Sequence, residues 1–238
     1  MTQTKRVIAM AAGLALLLPA LGCVPQDYGW ASLYRPAQEN KINVVMPAGA
    51  PSISQQFLFT TNGAKHLGID VIGKVGDPVI AVASGVVTGS FSEPAYGNRV
   101  EIAHGTDAGG KRTRTVYKHL QKRLVSKGDV VARGQKIGTI GTTGMLGGGI
   151  PHLHFELYRQ THGDGLTPTD PHRFWVDGVG RVTCFDPAAT YETTRFAMTY
   201  PVPCQGSSGA DVASAVPARG LEALLDGAQN PANQGASQ

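Results

Sequence analysis

Between residues 52 and 158 the apolar positions come in short β-branched runs broken by glycines. They are Val79-Ile80-Ala81-Val82, Gly85-Val86-Val87, Arg99-Val100-Glu101-Ile102, Lys136-Ile137-Gly138-Thr139-Ile140 and Leu153 to Leu157. Runs of this kind between turn residues predict strands. No stretch of the region keeps an apolar period of 3.6 residues long enough to predict a helix. The predicted fold class is therefore mainly β, with antiparallel sheets. In Leu153 to Leu157 strict alternation turns Leu153 and Phe155 to a core, and His152, His154 and Glu156 to the opposite face.

A weak internal echo refines the architecture. Gly76-Asp77-Pro78-Val79 leading to Ser84-Gly85-Val86-Val87 is answered later by Lys127-Gly128-Asp129-Val130-Val131 leading to Gly134-Gln135-Lys136-Ile137-Gly138. The pattern resembles the repeated hairpins of biotinyl and lipoyl carrier domains, whose barrel-sandwich core some hydrolases share. A carrier needs a lysine at the tip between the hairpins, flanked as in Met-Lys-Met. The sequence has none there, so the echo bears on fold alone.

The ends of the chain read differently. Lys5 and Arg6 precede an apolar run from Val7 to Leu18. At about 12 residues it suits a signal peptide and falls short of the roughly 20 needed to span a bilayer. Ala20-Leu21-Gly22-Cys23 resembles a bacterial lipobox, which would put a lipid anchor on Cys23 and attach the chain to a membrane. Ordinary cleavage near Ala20 or Gly22, with Cys23 free, is the alternative. Val24, where an Asp would favour the inner membrane, points to the outer membrane of a periplasm. The predicted organisation is a signal peptide at 1–22, a tether at 23–51, a β domain at 52–160, an extension at 161–204 and a disordered tail at 205–238. The tail holds no aromatic residue and little apolar surface to offset chain entropy.

With Cys23 set aside, Cys184 and Cys204 remain as an even pair, predicted to form a disulfide in an oxidising compartment. The spacing lacks the CxxC of a zinc cysteine site. The formal charge of +4 falls to +2 once Lys5 and Arg6 are removed. That balance is too slight for a nucleic-acid partner, which asks for a concentrated basic face.

Three separated motifs carry the candidate chemistry: His66-Leu67-Gly68-Ile69-Asp70, Tyr117-Lys118-His119-Leu120 and His152-Leu153-His154-Phe155-Glu156. His66 and Asp70 would meet on a helix, but Gly68, Ile69, Val71 and Ile72 disfavour one. In extended chain the two would stand roughly 13 Å apart, so a bend at Gly68 is required. Zinc takes imidazole nitrogen and carboxylate oxygen, and catalytic sites use three protein ligands with one open position. His66, Asp70 and His154 would make such a set, leaving His119 and His152 to handle protons. His104 follows a strand and reads as structural, and His162 and His172 fall in polar turns.

HxGxD, YxHL and HLHFE in this order resemble the LytM-type (M23, lysostaphin-like) zinc endopeptidases over residues 52–158. Gly141-Thr142-Thr143-Gly144 and the Gly-Asp-Pro-Val stretch add to the likeness. The resemblance implies one zinc ion held by His66, Asp70 and His154, with His119 and His152 catalytic. It also implies a barrel-sandwich, LytM-like core and peptidoglycan stem peptides as substrate. The lipobox and the stapled C-terminal segment suggest a Gram-negative envelope, where D-alanyl-diaminopimelate cross-links would be the target. The stretch between Gly144 and His152 is about two residues longer than in the family, beside the site. Two other functions stay open at this stage. One is a LytM-like lipoprotein that activates cell-wall amidases without cutting, and the other is a passive wall-binding module.

Overall fold

The structure, a computed structural model, describes residues 42–205 apart from positions 59, 62–63, 162 and 192–193. The expected signal peptide, lipobox cysteine and tail, and His162, lie outside the described residues.

Within them the strands are β1 (Ile53–Gln55), β2 (Thr60–Thr61), β3 (Ala64–Lys65), β4 (Ile69–Ile72), β5 (Pro78–Ile80) and β6 (Gly85–Glu93). They continue as β7 (Gly97–Thr106), β8 (Arg112–Arg123), β9 (Val130–Val131), β10 (Lys136–Ile140), β11 (His152–Gln160) and β12 (Leu166–Thr169). The pairings between these strands are antiparallel, and the main sheet runs β1-β4-β11-β8-β7-β6-β9. The end of β8 also pairs with β10, which pairs in turn with β5. β2 and β3 make a separate short hairpin. The mainly β, antiparallel prediction holds.

β8 has 12 residues and is the longest of these strands. It joins β11 through His154↔Lys118 and β7 through Val100↔Tyr117. Its inward side chains Tyr117 and Leu120 are fully buried with Ile69, Val71, Ile102, Leu153, Phe155 and Leu157. This packing fixes the register. A slip of one residue would turn every core side chain on the strand to the other face.

The extension does not stand apart from this core. Trp175, Val182, Met198, Tyr200 and Val202 belong to the same buried cluster, and Cys184 and Cys204 are joined as a disulfide. The described end of the expected tether, 23–51, packs on this core as well. Val44, Met46 and Ala50 pack on the cluster, and the Val45 backbone bonds with Gly180 and Val182. Apolar side chains at both ends of the domain thus bury one another.

Candidate metal centre

Strands β4, β8 and β11 lie side by side and carry the candidate residues on one face. β4 and β11 pair in the register His154↔Asp70. His66 reaches the same point from the loop before β4 because the chain bends at Gly68. A Cβ at Gly68 would come within 2.2 Å of the Phe155 carbonyl oxygen, so only glycine allows so close an approach to β11. The bend that the four-residue spacing demanded is there.

His66 Nε2 lies 3.0 Å from Asp70 Oδ1 and 2.9 Å from His154 Nδ1, and His154 Nδ1 lies 2.8 Å from the same Asp70 oxygen. Three donor atoms thus form a nearly equilateral triangle. The other ring nitrogens decide what these atoms can offer. His66 Nδ1 faces the Gln56 carbonyl oxygen at 2.9 Å, and His154 Nε2 faces Glu156 Oε1 at 3.0 Å. Both partners accept only, so each of those nitrogens carries the proton. His66 Nε2, His154 Nδ1 and Asp70 Oδ1 are left with lone pairs aimed at one another. Such an arrangement is repulsive until a positive charge enters it.

The titration behaviour carries the same signature. Burial opposes a charge on His154, yet the Asp70 and Glu156 carboxylates outweigh it and raise the imidazole pKa. Burial would raise the Asp70 pKa, but the neighbouring His154 and His66 rings, which take up positive charge beside it, outweigh it and depress the carboxyl strongly. The cluster therefore draws positive charge towards its centre. Two imidazole nitrogens and a carboxylate oxygen are donors that zinc favours. Ligand atoms of a tetrahedral zinc stand about 3.3 Å apart, given bonds of roughly 2.05 Å. The edges found here are only a few tenths shorter, so the residues fit such an ion.

His119 and His152 stand beside the triangle, with ring centroids 4.9 Å apart. The Thr143 carbonyl takes the Nδ1 proton of His119 at 2.8 Å, and the Ile150 carbonyl takes that of His152 at 2.7 Å. Each ring keeps an Nε2 lone pair, and that of His152 is 4.0 Å from Asp70 Oδ1. Burial outweighs the Thr143 carbonyl and lowers the His119 pKa to about 4, so this ring is neutral at pH 7. His119 also adopts a left-handed backbone, φ 61°, uncommon for a residue other than glycine. The β7–β8 register shifts between Asn98 and Val100, opposite Leu120 and Tyr117. Both irregularities turn His119 out of the regular alternation of β8.

Other supporting residues escaped the sequence reading. Lys118 Nζ donates to Glu156 Oε1 at 2.7 Å, with both side chains buried, and lies 3.7 Å from the Tyr96 ring centroid. The Tyr158 hydroxyl donates to Glu156 Oε2. Burial would raise the Glu156 pKa, but His154 and then Lys118 hold it at about 2. This anion fixes the His154 tautomer, as outer carboxylates do for metal-bound imidazoles.

His172, expected in a polar turn, is buried. Trp175 Nε1 donates to its Nδ1 at 3.0 Å, and its Nε2 donates to Gln56 Oε1 at 2.6 Å. The Gln56 backbone oxygen is the partner of His66, so the extension props up the His66 loop. His104 is a satisfied structural residue, held between the Ser84 carbonyl and the Thr115 hydroxyl. The long stretch after Gly144 exposes Met145, Leu146 and Ile150.

Comparison with known proteins agrees with these motifs. Residues 64–168 match the profile of Peptidase family M23. Peptidoglycan DD-endopeptidase ShyA of Vibrio cholerae is 44% identical over 98 residues, covering 41% of this chain and 21% of the relative. Lysostaphin of Staphylococcus simulans is 35% identical over 114 residues, covering 48% of this chain and 22% of the relative. A lipoprotein NlpD/LppB homolog of Pseudomonas aeruginosa is 34% identical over 117 residues, covering 49% and 35%. Among solved structures, the lysostaphin catalytic domain from S. simulans shares 30% identity, with a TM-score of 0.42 over 51% of this chain and 89% of that one. The chain spans about a fifth of the length of ShyA and of two further V. cholerae endopeptidases, ShyC and ShyB. Residues 64–168 are a Peptidase M23 domain, and by that domain the chain belongs to the M23 family of LytM and lysostaphin.

Proposed function

We propose that the protein is a zinc-dependent endopeptidase that hydrolyses amide bonds in the peptide cross-links of bacterial cell wall. The convergence of three lone pairs from His66, Asp70 and His154, each set by a partner on its far side, carries this reading. The peptidoglycan endopeptidases among its relatives support the substrate class. In a Gram-negative envelope the bond is D-alanyl-diaminopimelate. The chain is exported to the periplasm and held at the outer membrane through a lipid on Cys23.

When bound, zinc supplies Lewis acidity and brings the pKa of a bound water towards about 7. His152 Nε2 carries the lone pair that receives the proton of the attacking water, and an imidazole suits proton transfer near neutrality. The carbonyl of Ile150 keeps that lone pair pointed inward by holding the Nδ1 proton. His119, anchored on Thr143, positions the water or the developing oxyanion from the other side.

The test is digestion of cross-linked muropeptides by the purified chain, with metal content measured alongside. One zinc per chain, cleavage stopped by a chelator, and loss of both in His154→Ala are the expected results. Cleavage that persists in His154→Ala would refute the ligand assignment. Bound zinc with no cleavage, but with stimulation of a wall amidase, would favour the activator reading. Retention on sacculi alone would favour a passive binding module.

A further inference from the structure

A cavity of about 510 Å³ lies between Ala83 and Ser84 ahead of β6, the end of β7 at His104, and Phe185, Tyr191 and Phe196 of the extension, and none of the five site residues lines it. It has the size of a small-ligand site, for which roughly 300–1,000 Å³ is usual. Its lining includes Lys111, Arg133 and Arg195, and among the described lining residues the single acid is Asp107. That acid is already committed. Asp107 Oδ2 accepts from Arg159 NH2 at 2.6 Å and from the Phe196 amide at 3.1 Å, while Oδ1 accepts from the amides of Gly109 and Lys111. The lining is left with an excess of positive charge.

Arg133 is the most defined of the three cations. Its guanidinium donates to the Val82 carbonyl at 2.6 Å and to the Ala197 carbonyl at 2.9 Å, and it lies 4.9 Å from the Tyr191 ring centroid. Tyr191 in turn stacks on Phe185, which packs against Gly134. None of these partners is a carboxylate. A guanidinium has five N–H donors, and two are committed here, so three remain for a ligand. Burial of this cation lowers its pKa to about 10, which leaves it charged at pH 7. Lys111 Nζ has one long contact, 3.4 Å to the Thr161 carbonyl. A rigid guanidinium with spare donors, set in a cationic cavity, matches the planar geometry of a carboxylate.

We propose that this cavity is a second binding site, taking a free carboxylate of the wall stem peptides on Arg133 while Lys111 and Arg195 attract it electrostatically. The inference rests on the wall-peptidase reading for the identity of the polymer. It gives the extension, which lies mostly beyond the matched residues 64–168, a role in substrate retention. Along β8 the Thr115 partner of His104, a lining residue, is four positions from His119. At about 3.3 Å per residue this places the cavity roughly 13 Å or more from the catalytic histidines.

The test uses the intact protein and an uncross-linked disaccharide-tetrapeptide, a ligand without a cross-link to cut. Binding is followed by NMR at the Arg133 Nε–H and the Tyr191 ring, and by calorimetry. Shifts at both positions, with affinity at least tenfold weaker for the same muropeptide amidated at its carboxylates, are expected. Arg133→Ala would orphan two carbonyls and could unfold the protein, so the variant chosen is Lys111→Glu/Arg195→Glu. It should weaken binding at least fivefold and leave kcat on a small cross-linked peptide unchanged.

Equal affinity for the amidated ligand, or no shift at Arg133 when the muropeptide saturates, would overturn the proposal. Acetate binding there as tightly as the muropeptide would also overturn it, since the cavity would then be a general anion site. The two readings fail separately. Cleavage without an Arg133 shift removes only the second site, whereas a shift without cleavage removes only the peptidase.

Discussion

Replacing Lys118 by Met and Glu156 by Gln, singly and together, tests whether the anion behind His154 acts as part of a charged unit. The two side chains are 5% and 2% exposed and meet at 2.7 Å, so neither charge has water to fall back on. Lys118→Met leaves the Glu156 carboxylate with only the His154 and Tyr158 donors. Glu156→Gln leaves the ammonium on the Tyr96 ring and keeps an oxygen able to accept from His154. Breaking a buried pair from one side costs about 3–5 kcal/mol, whereas neutralising both partners costs much less. Each single variant is therefore expected to lose about 3–5 kcal/mol and the double about 1–3 kcal/mol, a coupling of at least roughly 3 kcal/mol. Urea unfolding of chelator-treated protein at pH 7 measures all four species without a metal contribution. If the two losses add to within about 0.5 kcal/mol, the pair is not a unit and the reasoning is wrong.

Further expectations concern the support around the site and the stability of the extension. His172→Ala removes the prop on Gln56 and is expected to weaken zinc binding about tenfold, the lower end for outer-shell changes. His104→Ala, at a histidine outside this chain of contacts, should leave zinc affinity as it was; equal losses in both would mark a general effect of folding. Replacing Cys184 and Cys204 by Ala opens a link across 20 residues and should lower stability by about 3 kcal/mol in urea. Asp107 has its pKa lowered from 3.8 to about 2; burial alone would raise it, and the bond from Arg159 with the amides outweighs that. A folded pKa below the unfolded one means stability that is present above pH 4 and lost as the pH falls towards 2. After allowance for solvent screening this amounts to about 1 kcal/mol. Asp107→Asn should flatten the acid limb of the stability curve between pH 4 and 2, and an unchanged limb would contradict it.

The β runs near residues 79–87, 99–102, 136–140 and 153–157 were legible because each is apolar within its own few residues. β8 was not, although it is the longest strand. Its Arg112, Arg114, Lys118, Lys122 and Arg123 obscure the apolar alternation, and the partners of Arg114 and Lys118 are Glu101 and Glu156, which lie on other strands. His66, Asp70, His119, His152 and His154 were legible as a set because histidine is scarce and the motifs keep their order. The props behind them were not. Gln56 and His172 are separated by 116 positions, and neither type signals a site alone. Phe174, Trp175 and Phe196 marked the extension as aromatic-rich, but only folding reveals that Trp175, Met198 and Tyr200 fill the core beneath the sheet.

The shared core has a consequence for how the protein can be divided. Residues 64–168 carry the family likeness, yet the interior they enclose is closed off by Trp175, Met198 and Tyr200 and by Val44 and Met46. Excised at those limits, the piece would keep every residue proposed to cut the wall and lose both flanking covers. It would also part with Gln56, whose backbone carbonyl steadies His66. The stretch recognisable by ancestry is smaller than the stretch that must fold together.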